Sequence, residues 1–326
     1  MIQTLELFGG IGAPRRALKN IGIDVKSIDY VEIDAKAVAS YNAMFKNDIK
    51  YNAQNIIGWN LKPDILIHGS PCQDFSVAGF QKGADKGSGT RSSLMWETIR
   101  IIKSMGVWKP KVVIWENVKN VLSKYMVHNF NKYLEVMREM GYTNSFDVLN
   151  TLDFGLPQKR ERVFTVSILG NEFFDFSDLI RKPYKNIKNY LEKDVPDYYT
   201  VTQPSMLKKI MNEKGKTASL SVPIIKDYAF TITTKQVRSP NSGVIDLGNG
   251  KYRYLTEREC WRLQGFSDED FDNALKANPS RKGFMNTALY KQAGNSISVP
   301  VFESIFRKLL LGETSEKKED IQQNLF

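Results

Sequence analysis

The stretch "LELFGGIGAPRRAL", residues 5–18, passes from a β-prone apolar run through a glycine cluster into a segment with helical periodicity. Gly9, Gly10 and Gly12 let the backbone come close to a ligand and to the following helix, and Glu32 closes the next β-prone run 20 residues after Gly12. A carboxylate at that place can accept hydrogen bonds from both hydroxyls of a ribose, so the spacing fits an adenosine-containing cofactor. The glycines alone fit equally a tight strand-to-helix turn that binds nothing. They are neither the full dinucleotide fingerprint nor a P-loop, which needs a Gly-Lys-Ser/Thr that is absent. The helix opens with Pro14, Arg15 and Arg16, which gives no direct sign of a pyrophosphate, so adenosine joined to something other than a diphosphate stays open.

The same alternation continues outward from this unit. "TLELF" (4–8), "KSIDYVE" (26–32), "DILIHG" (64–69), "VVIWEN" (112–117), "FDVLN" (146–150) and "RVFTVSIL" (162–169) are predicted strands. Helices are predicted over 13–21, 35–45, 93–105, where Leu94, Thr98, Ile102 and Met105 share a face, and 127–140, stopped by Gly141. Strands alternating with helices imply an α/β fold with a mostly parallel sheet covered on both faces. From about residue 173 to 250 the pattern is irregular and proline-rich, with a short strand candidate at 228–234, and reads as a smaller loop-rich domain. Helices return near 256–264 and 299–311, and residues 313–326 form a charged tail. The expected division is therefore 1–172, 173–250, 251–312 and 313–326.

Composition narrows the chemistry. Two cysteines, Cys72 and Cys260, need no disulfide, and the chain shows no leader-like opening and no apolar run long enough to span a bilayer, so a soluble cytoplasmic protein with a free thiol is expected. Two histidines, His68 and His128, exclude a histidine-rich metal site, and no metal is expected. The net charge of +10 points to a polyanionic partner, although such an excess can also be a solvated face. Residues 181–251 carry 13 Lys or Arg against 6 Asp or Glu, so seven of the ten net charges fall in the irregular segment. That segment is the candidate surface for nucleic acid.

Three clusters carry chemical potential. Cys72, in "GSPCQDFS" (69–76), follows a predicted strand, at the carboxyl end where open α/β sheets place ligands. A free thiol, with a pKa of about 8.5, needs a local field to act as a nucleophile, and a buried packing role competes with catalysis. Glu116 ends another apolar strand, where it caps the next helix or serves as an acid or hydrogen-bond partner. Arg160 and Arg162 occupy alternate positions leading into a strand and should share one face. Cysteine, carboxylate and arginine together suit covalent attack on a polarised heterocycle.

These residues resemble the DNA (cytosine-5) methyltransferases, of bacterial or phage type. The resemblance covers nearly the whole chain in the family's order: "LELFGGIGA", "VEID", "GSPCQDFSVAG", "GTRSSLMWE", "WENV", "LDFGLPQKRERVF", "LTERECWRLQGF" and "YKQAGNSISVPV". It implies a Rossmann-like fold that binds S-adenosylmethionine and releases S-adenosylhomocysteine. Phe8, Gly10, Gly12, Glu32, Pro71, Leu94, Asn295 and Ser296 are then cofactor residues, with Glu32 on the ribose, and the helix 299–311 should return beside the first strand. Cys72 would add to C6 of a cytosine turned out of the duplex, Glu116 would bind N3 and the exocyclic amine, and Arg162, with Arg160, would hold O2.

The resemblance makes double-stranded DNA the partner and places target recognition in residues 173–250, with "AFTITTKQVRSPNSG" (229–243) approaching bases and phosphates. Thr231, Thr233, Lys235 and Arg238 are the expected contacts there, joined by Gln73 and Ser76 beside the thiol. The glycine-rich stretch 73–93 is the expected lid. A monomer is expected, and a restriction endonuclease acting on the same site would be a counterpart, not a bound subunit. Asn52 stands where the family often has an acid for the adenine amino group, Ala78 where some members have a serine, and Cys260 where a small apolar residue is usual. The rival readings are a transfer-RNA cytosine-5 methyltransferase, a nicotinamide-dependent oxidoreductase, which leaves Cys72 and "QKRER" without a task, and a DNA-binding module without catalysis.

Overall fold

The computed structural model describes residues 2–46, 49–57, 62–70, 94–211 and 221–315. Its centre is a six-stranded sheet of order β2-β1-β3-β4-β7-β5, formed by β1 (Ile2–Leu7), β2 (Val25–Val31), β3 (Ile65–His68), β4 (Val112–Val118), β5 (Tyr142–Asn150) and β7 (Glu161–Leu169). β1 pairs in parallel with β2 and β3, and β3 with β4, whereas β7 lies antiparallel to both β4 and β5. The expected mostly parallel sheet is present, with one reversed strand.

Both faces of the sheet are covered, which explains the near-continuous apolar reading of "ILIH" and "VVIWENV". Ile65, Ile67, Ile114, Phe164 and Val166 join one core with α1 (Ala13–Asn20), α2 (Ala35–Met44) and α9 (Val299–Phe306). Leu66, Val113, Trp115 and Val163 join the other with α3 (Met95–Ser104) and α4 (Val127–Glu139). Each such side chain contributes roughly 1.5–3 kcal/mol by burial. α9 does return to the N-terminal unit, but it packs on α1, with the Phe302 ring edge-on to Phe164 of β7. Beyond Phe306 the chain widens into a π-helical turn, Arg307–Leu311, so the predicted single helix over 299–311 changes its hydrogen bonding part-way.

The irregular segment holds α5 (Pro204–Met211) and the short strands β8 (Ala229–Phe230), β9 (Ile245–Gly248) and β10 (Lys251–Arg253). Val201, Met206, Ile210, Val222, Val244 and Tyr254 form its own small core. The strand predicted over 228–234 is reduced to β8, which pairs in parallel with β6 (Gln158–Lys159) before the chain turns. After it come α6 (Glu257–Arg262), α7 (Asp268–Ala277) and α8 (Thr287–Asn295). Sequence periodicity missed α5, α7 and α8. α7 starts in a capping box, with the Ser267 hydroxyl on the Asp270 N–H and the Asp270 carboxylate on the Ser267 N–H, and the Asn286 side chain caps α8.

Candidate functional site

Strand order 2-1-3 places a topological switch between β1 and β3, where connections diverge and a crevice opens at the strands' carboxyl ends. A cleft of about 330 Å³ lies there, lined by Phe8, Gly9, Gly10, Ile11, Ala13 and Pro14 after β1, Gly69 after β3, Glu116 near the end of β4, and Asn295, Ser296 and Ile297 after α8. Six residues singled out from sequence, Phe8, Gly9, Gly10, Glu116, Asn295 and Ser296, thus line one space. Ile11, Ala13, Pro14, Gly69 and Ile297 are lining residues without a role read from sequence. Only the chain path shows their place.

The glycine turn has defined geometry. Phe8 has φ +56°, a left-handed conformation that non-glycine residues avoid and that marks functional turns. Gly12 has φ +75° as N-cap of α1, and a Cβ on it would lie 2.5 Å from the Tyr41 ring. The Gly10 N–H donates to Glu32 Oε2 at 3.0 Å, and the Asp34 N–H to Glu32 Oε1 at 2.8 Å. Burial pushes the Glu32 carboxyl above its ordinary range, against the pull of these N–H groups. Glu32 therefore adjoins the cleft through Gly10. Leu94 is half-buried against the α3–α4 core, and Asn52 is exposed.

At the other end of the cleft, Glu116 Oε1 lies 3.1 Å from Arg162 Nε, across the antiparallel β4–β7 pair. Burial raises the Glu116 carboxyl, while Arg162 and Arg160 draw it back. Glu116 sits within β4 and faces the cleft, so the helix-capping alternative fails. Arg162 also donates through Nη1 to the Glu161 carbonyl at 2.8 Å.

Arg160 is engaged differently from Arg162. Its Nη1 donates to the Ile232 carbonyl at 3.0 Å and its Nη2 to the carbonyls of Ser296 at 2.7 Å and Gly294 at 3.3 Å. It thus ties β7 to the basic segment and to the C-terminal block. Both guanidiniums act on the Glu116 carboxyl, but their hydrogen bonds differ. Arg160 lies at the break between β6 and β7, where strand alternation does not operate.

Of the expected DNA contacts, Lys235 and Arg238 are exposed in the turn after β8. The Thr231 hydroxyl donates to the Lys159 carbonyl at 3.0 Å. The Thr233 hydroxyl is buried without a hydrogen-bond partner among the described residues, beside the place where the 233–234 peptide meets Gly294. Ser70, the last described residue before the 71–93 stretch, accepts from Trp115 Nε1 at 3.0 Å, which ties the end of β3 to β4. Pro71, Cys72, Gln73, Ser76, Ala78 and the expected lid lie outside the described residues. Cys260 is fully buried in core packing, and burial raises its thiol far above the ordinary range. Among the described residues no group of three or more His, Cys, Asp or Glu is placed to hold a metal, and no helix is long and apolar enough to cross a membrane.

The profile of the family described as C-5 cytosine-specific DNA methylase matches residues 2–311. The chain belongs to that family. Type II methyltransferase M2.ScrFI of Lactococcus lactis subsp. cremoris is 33% identical over 383 aligned positions, covering 95% of this chain and 99% of the relative. Type II methyltransferase M.HaeII of Haemophilus aegyptius is 34% identical over 316 positions, with 93% and 91% coverage. Among solved structures, S. pombe Dnmt2 methyltransferase superposes with a TM-score of 0.74 at 20% identity, covering 96% of this chain and 99% of that one, which shows the shared fold. The protein is a DNA cytosine-5 methyltransferase, and the cleft at the β1/β3 switch is the candidate place for its chemistry.

Proposed function

We propose that this methylase binds S-adenosylmethionine in the cleft and methylates C5 of a cytosine turned out of duplex DNA, through a transient bond between Cys72 and C6. The observation that carries the reading is the shared cleft. The glycine turn and Asn295 line one part of it, and Glu116, held by Arg162, lines another. The lining fits such a cofactor: Ile11, Pro14 and Ile297 are apolar, Asn295 and Ser296 offer polar groups, and Glu32 adjoins through Gly10 with oxygens suited to ribose hydroxyls. Phe8, Gly12 and Leu94 shape this end, and Pro71 belongs to it by sequence. When bound, the cofactor supplies an electrophilic methyl group.

Cytosine C5 is a poor nucleophile until a thiolate adds to C6 and makes C5 enamine-like. In this reading Cys72 supplies the thiolate, and Glu116 holds N3 and the exocyclic amine as charge builds on the ring. Arg162 orients Glu116 and faces O2, and Arg160 braces the surrounding carbonyls. Once C5 has taken the methyl, loss of its proton and departure of the Cys72 sulfur leave 5-methylcytosine. C6 is inaccessible in a stacked duplex, so the base must leave the stack, at a cost of a few kcal/mol. Residues 173–250 would form the target-recognition domain, with Thr231, Thr233, Lys235 and Arg238 meeting the DNA beside Gln73 and Ser76. The enzyme would act as a monomer.

A duplex carrying 5-fluorocytosine tests the adduct. The wild type should form a covalent complex that Cys72→Ser cannot, and labelled S-adenosylmethionine should mark DNA but not transfer RNA. Label in transfer RNA alone, or an adduct surviving Cys72→Ser, overturns the reading.

A further inference from the structure

Beneath the glycine turn lies a buried polar chain for which the proposed chemistry has no use. Glu6 of β1, Arg15 of α1 and Tyr41 of α2 are 1%, 2% and 0% exposed. Arg15 Nη1 donates to the Tyr41 hydroxyl at 2.9 Å, and that hydroxyl donates to Glu6 Oε1 at 3.2 Å. Glu6 Oε2 has no hydrogen-bond partner among the described residues. A carboxylate half-satisfied in the core is costly and is not what packing alone would select.

The chain of contacts leads to the turn. Tyr41 stacks on Tyr30 with ring centroids 3.7 Å apart, and the Tyr30 hydroxyl donates to the Gly10 carbonyl at 2.5 Å. The Tyr41 ring also fills the space against which Gly12 turns. Arg15 sits in the first turn of α1, a turn without an acidic residue, and its guanidinium lies 4.9 Å from the Phe45 ring centroid. Glu6 is thus a buried negative charge acting on an arginine directly behind the residues that line the cleft.

We propose that Glu6, acting through Tyr41 and Arg15, positions the glycine turn for cofactor binding, so that the turn is in its receiving shape only while Glu6 is ionised. This rests on the reading that the turn receives S-adenosylmethionine. The groups facing Glu6 are Arg15 from α1, Tyr41 from α2 and Tyr30, its register partner on β2, while its partner on β3 is the apolar Ile67. Glu32 and Asp34 act on the Tyr30 hydroxyl, as Glu6 itself does. Burial raises the Glu6 carboxyl to about 7, opposed by Arg15 and Tyr41. Protonation as pH falls through that value removes the negative charge from the Glu6–Tyr41–Arg15 chain, so affinity is held at higher pH and lost at lower pH.

The test is calorimetric binding of S-adenosylhomocysteine to the full chain between pH 6 and 8. If only the ionised form is competent, the wild type should bind roughly tenfold more weakly at pH 6 than at pH 8. The ligand's amino group titrates near this window, so the diagnostic is the difference from Glu6→Gln, which should bind at pH 8 at least about tenfold more weakly than the wild type and keep only the ligand's share of the pH dependence. Tyr41→Phe keeps the ring stack and removes the hydroxyl that bridges Glu6 and Arg15, and should show the same loss. A wild-type profile no steeper than that of Glu6→Gln, or a folded Tyr41→Phe that binds and titrates as wild type, overturns the proposal. A wild type that binds no S-adenosylhomocysteine at any pH overturns the cofactor reading itself.

Discussion

Gly294→Ala sets helix propensity against sterics. Gly294 lies in the last turn of α8 and has no positive φ, so propensity alone favours alanine there by about 1 kcal/mol. A Cβ at this position, however, would sit 2.4 Å from both the Thr233 carbonyl carbon and the Thr234 nitrogen, and 2.7 Å from the Thr233 oxygen. Reaching ordinary contact requires the 233–234 backbone or the end of α8 to move by about 1 Å. Such a movement would carry the adjoining Ile232 carbonyl, now 3.0 Å from Arg160 Nη1, out of hydrogen-bond reach. A lost bond to a charged guanidinium costs about 1.5–3 kcal/mol and overpacking about 1–3 kcal/mol. Against the propensity gain, the net penalty is roughly 1.5–5 kcal/mol, with the sign set by sterics. If the chain relieves it by displacing the 231–238 stretch, melting changes little and methyl transfer to DNA falls by roughly ten- to a thousandfold or more, at about 1.4 kcal/mol per decade. S-adenosylhomocysteine binding should persist, because Gly10 and Glu32 are untouched. Thermal melting, calorimetry and methyl transfer on the same sample separate these outcomes. A variant that melts higher, as propensity predicts, and methylates at the wild-type rate refutes the reasoning.

Gly12→Ala should abolish measurable S-adenosylhomocysteine binding in the same calorimetric assay, since it combines a left-handed φ, costing about 1–2 kcal/mol, with a 2.5 Å clash against Tyr41. Arg253→Met should destabilise the fold by about 3–5 kcal/mol in denaturant titration, because it leaves Glu259 buried without the partner that meets its two oxygens at 2.8 and 2.9 Å. Binding to a duplex should weaken with salt along a log–log line of slope about −0.9 per neutralised phosphate, and Lys235→Ala should flatten it by about one such step.

Much of this was legible in the sequence, and what was not has physical causes. The sheet could be read because its strands are apolar runs and its helices carry one apolar stripe. Glu116 and Arg162 stood out singly at predicted strand ends, although their ion pair was not legible, and Glu32 stood out by its distance to Gly12. The helices α7 and α8 were missed because caps mark them more strongly than any stripe: Ser267 with Asp270, and Asn286 with the N–H groups of Ala288 and Leu289. Glu6, Arg15 and Tyr41 gave no signal, since three polar residues on three elements look solvated until the chain closes over them.

Arg160 shows the limit most sharply, and it also shows why the motifs come as a set. Three carbonyls that its guanidinium meets lie 72, 134 and 136 residues further along the chain, and side-chain identity is blind to such peptide acceptors. Yet one guanidinium meets the backbone of the basic segment at Ile232 and that of the cleft at Ser296, while standing two residues from the arginine that holds Glu116. A carbonyl bond survives any change of side chain that leaves the backbone in place. If the basic segment meets the bases, as proposed, it can therefore vary the residues that do so, provided the path at 232–234 and the bare surface of Gly294 are kept. Recognition would then diverge on this scaffold without disturbing the cleft, because the joint between them is made of backbone.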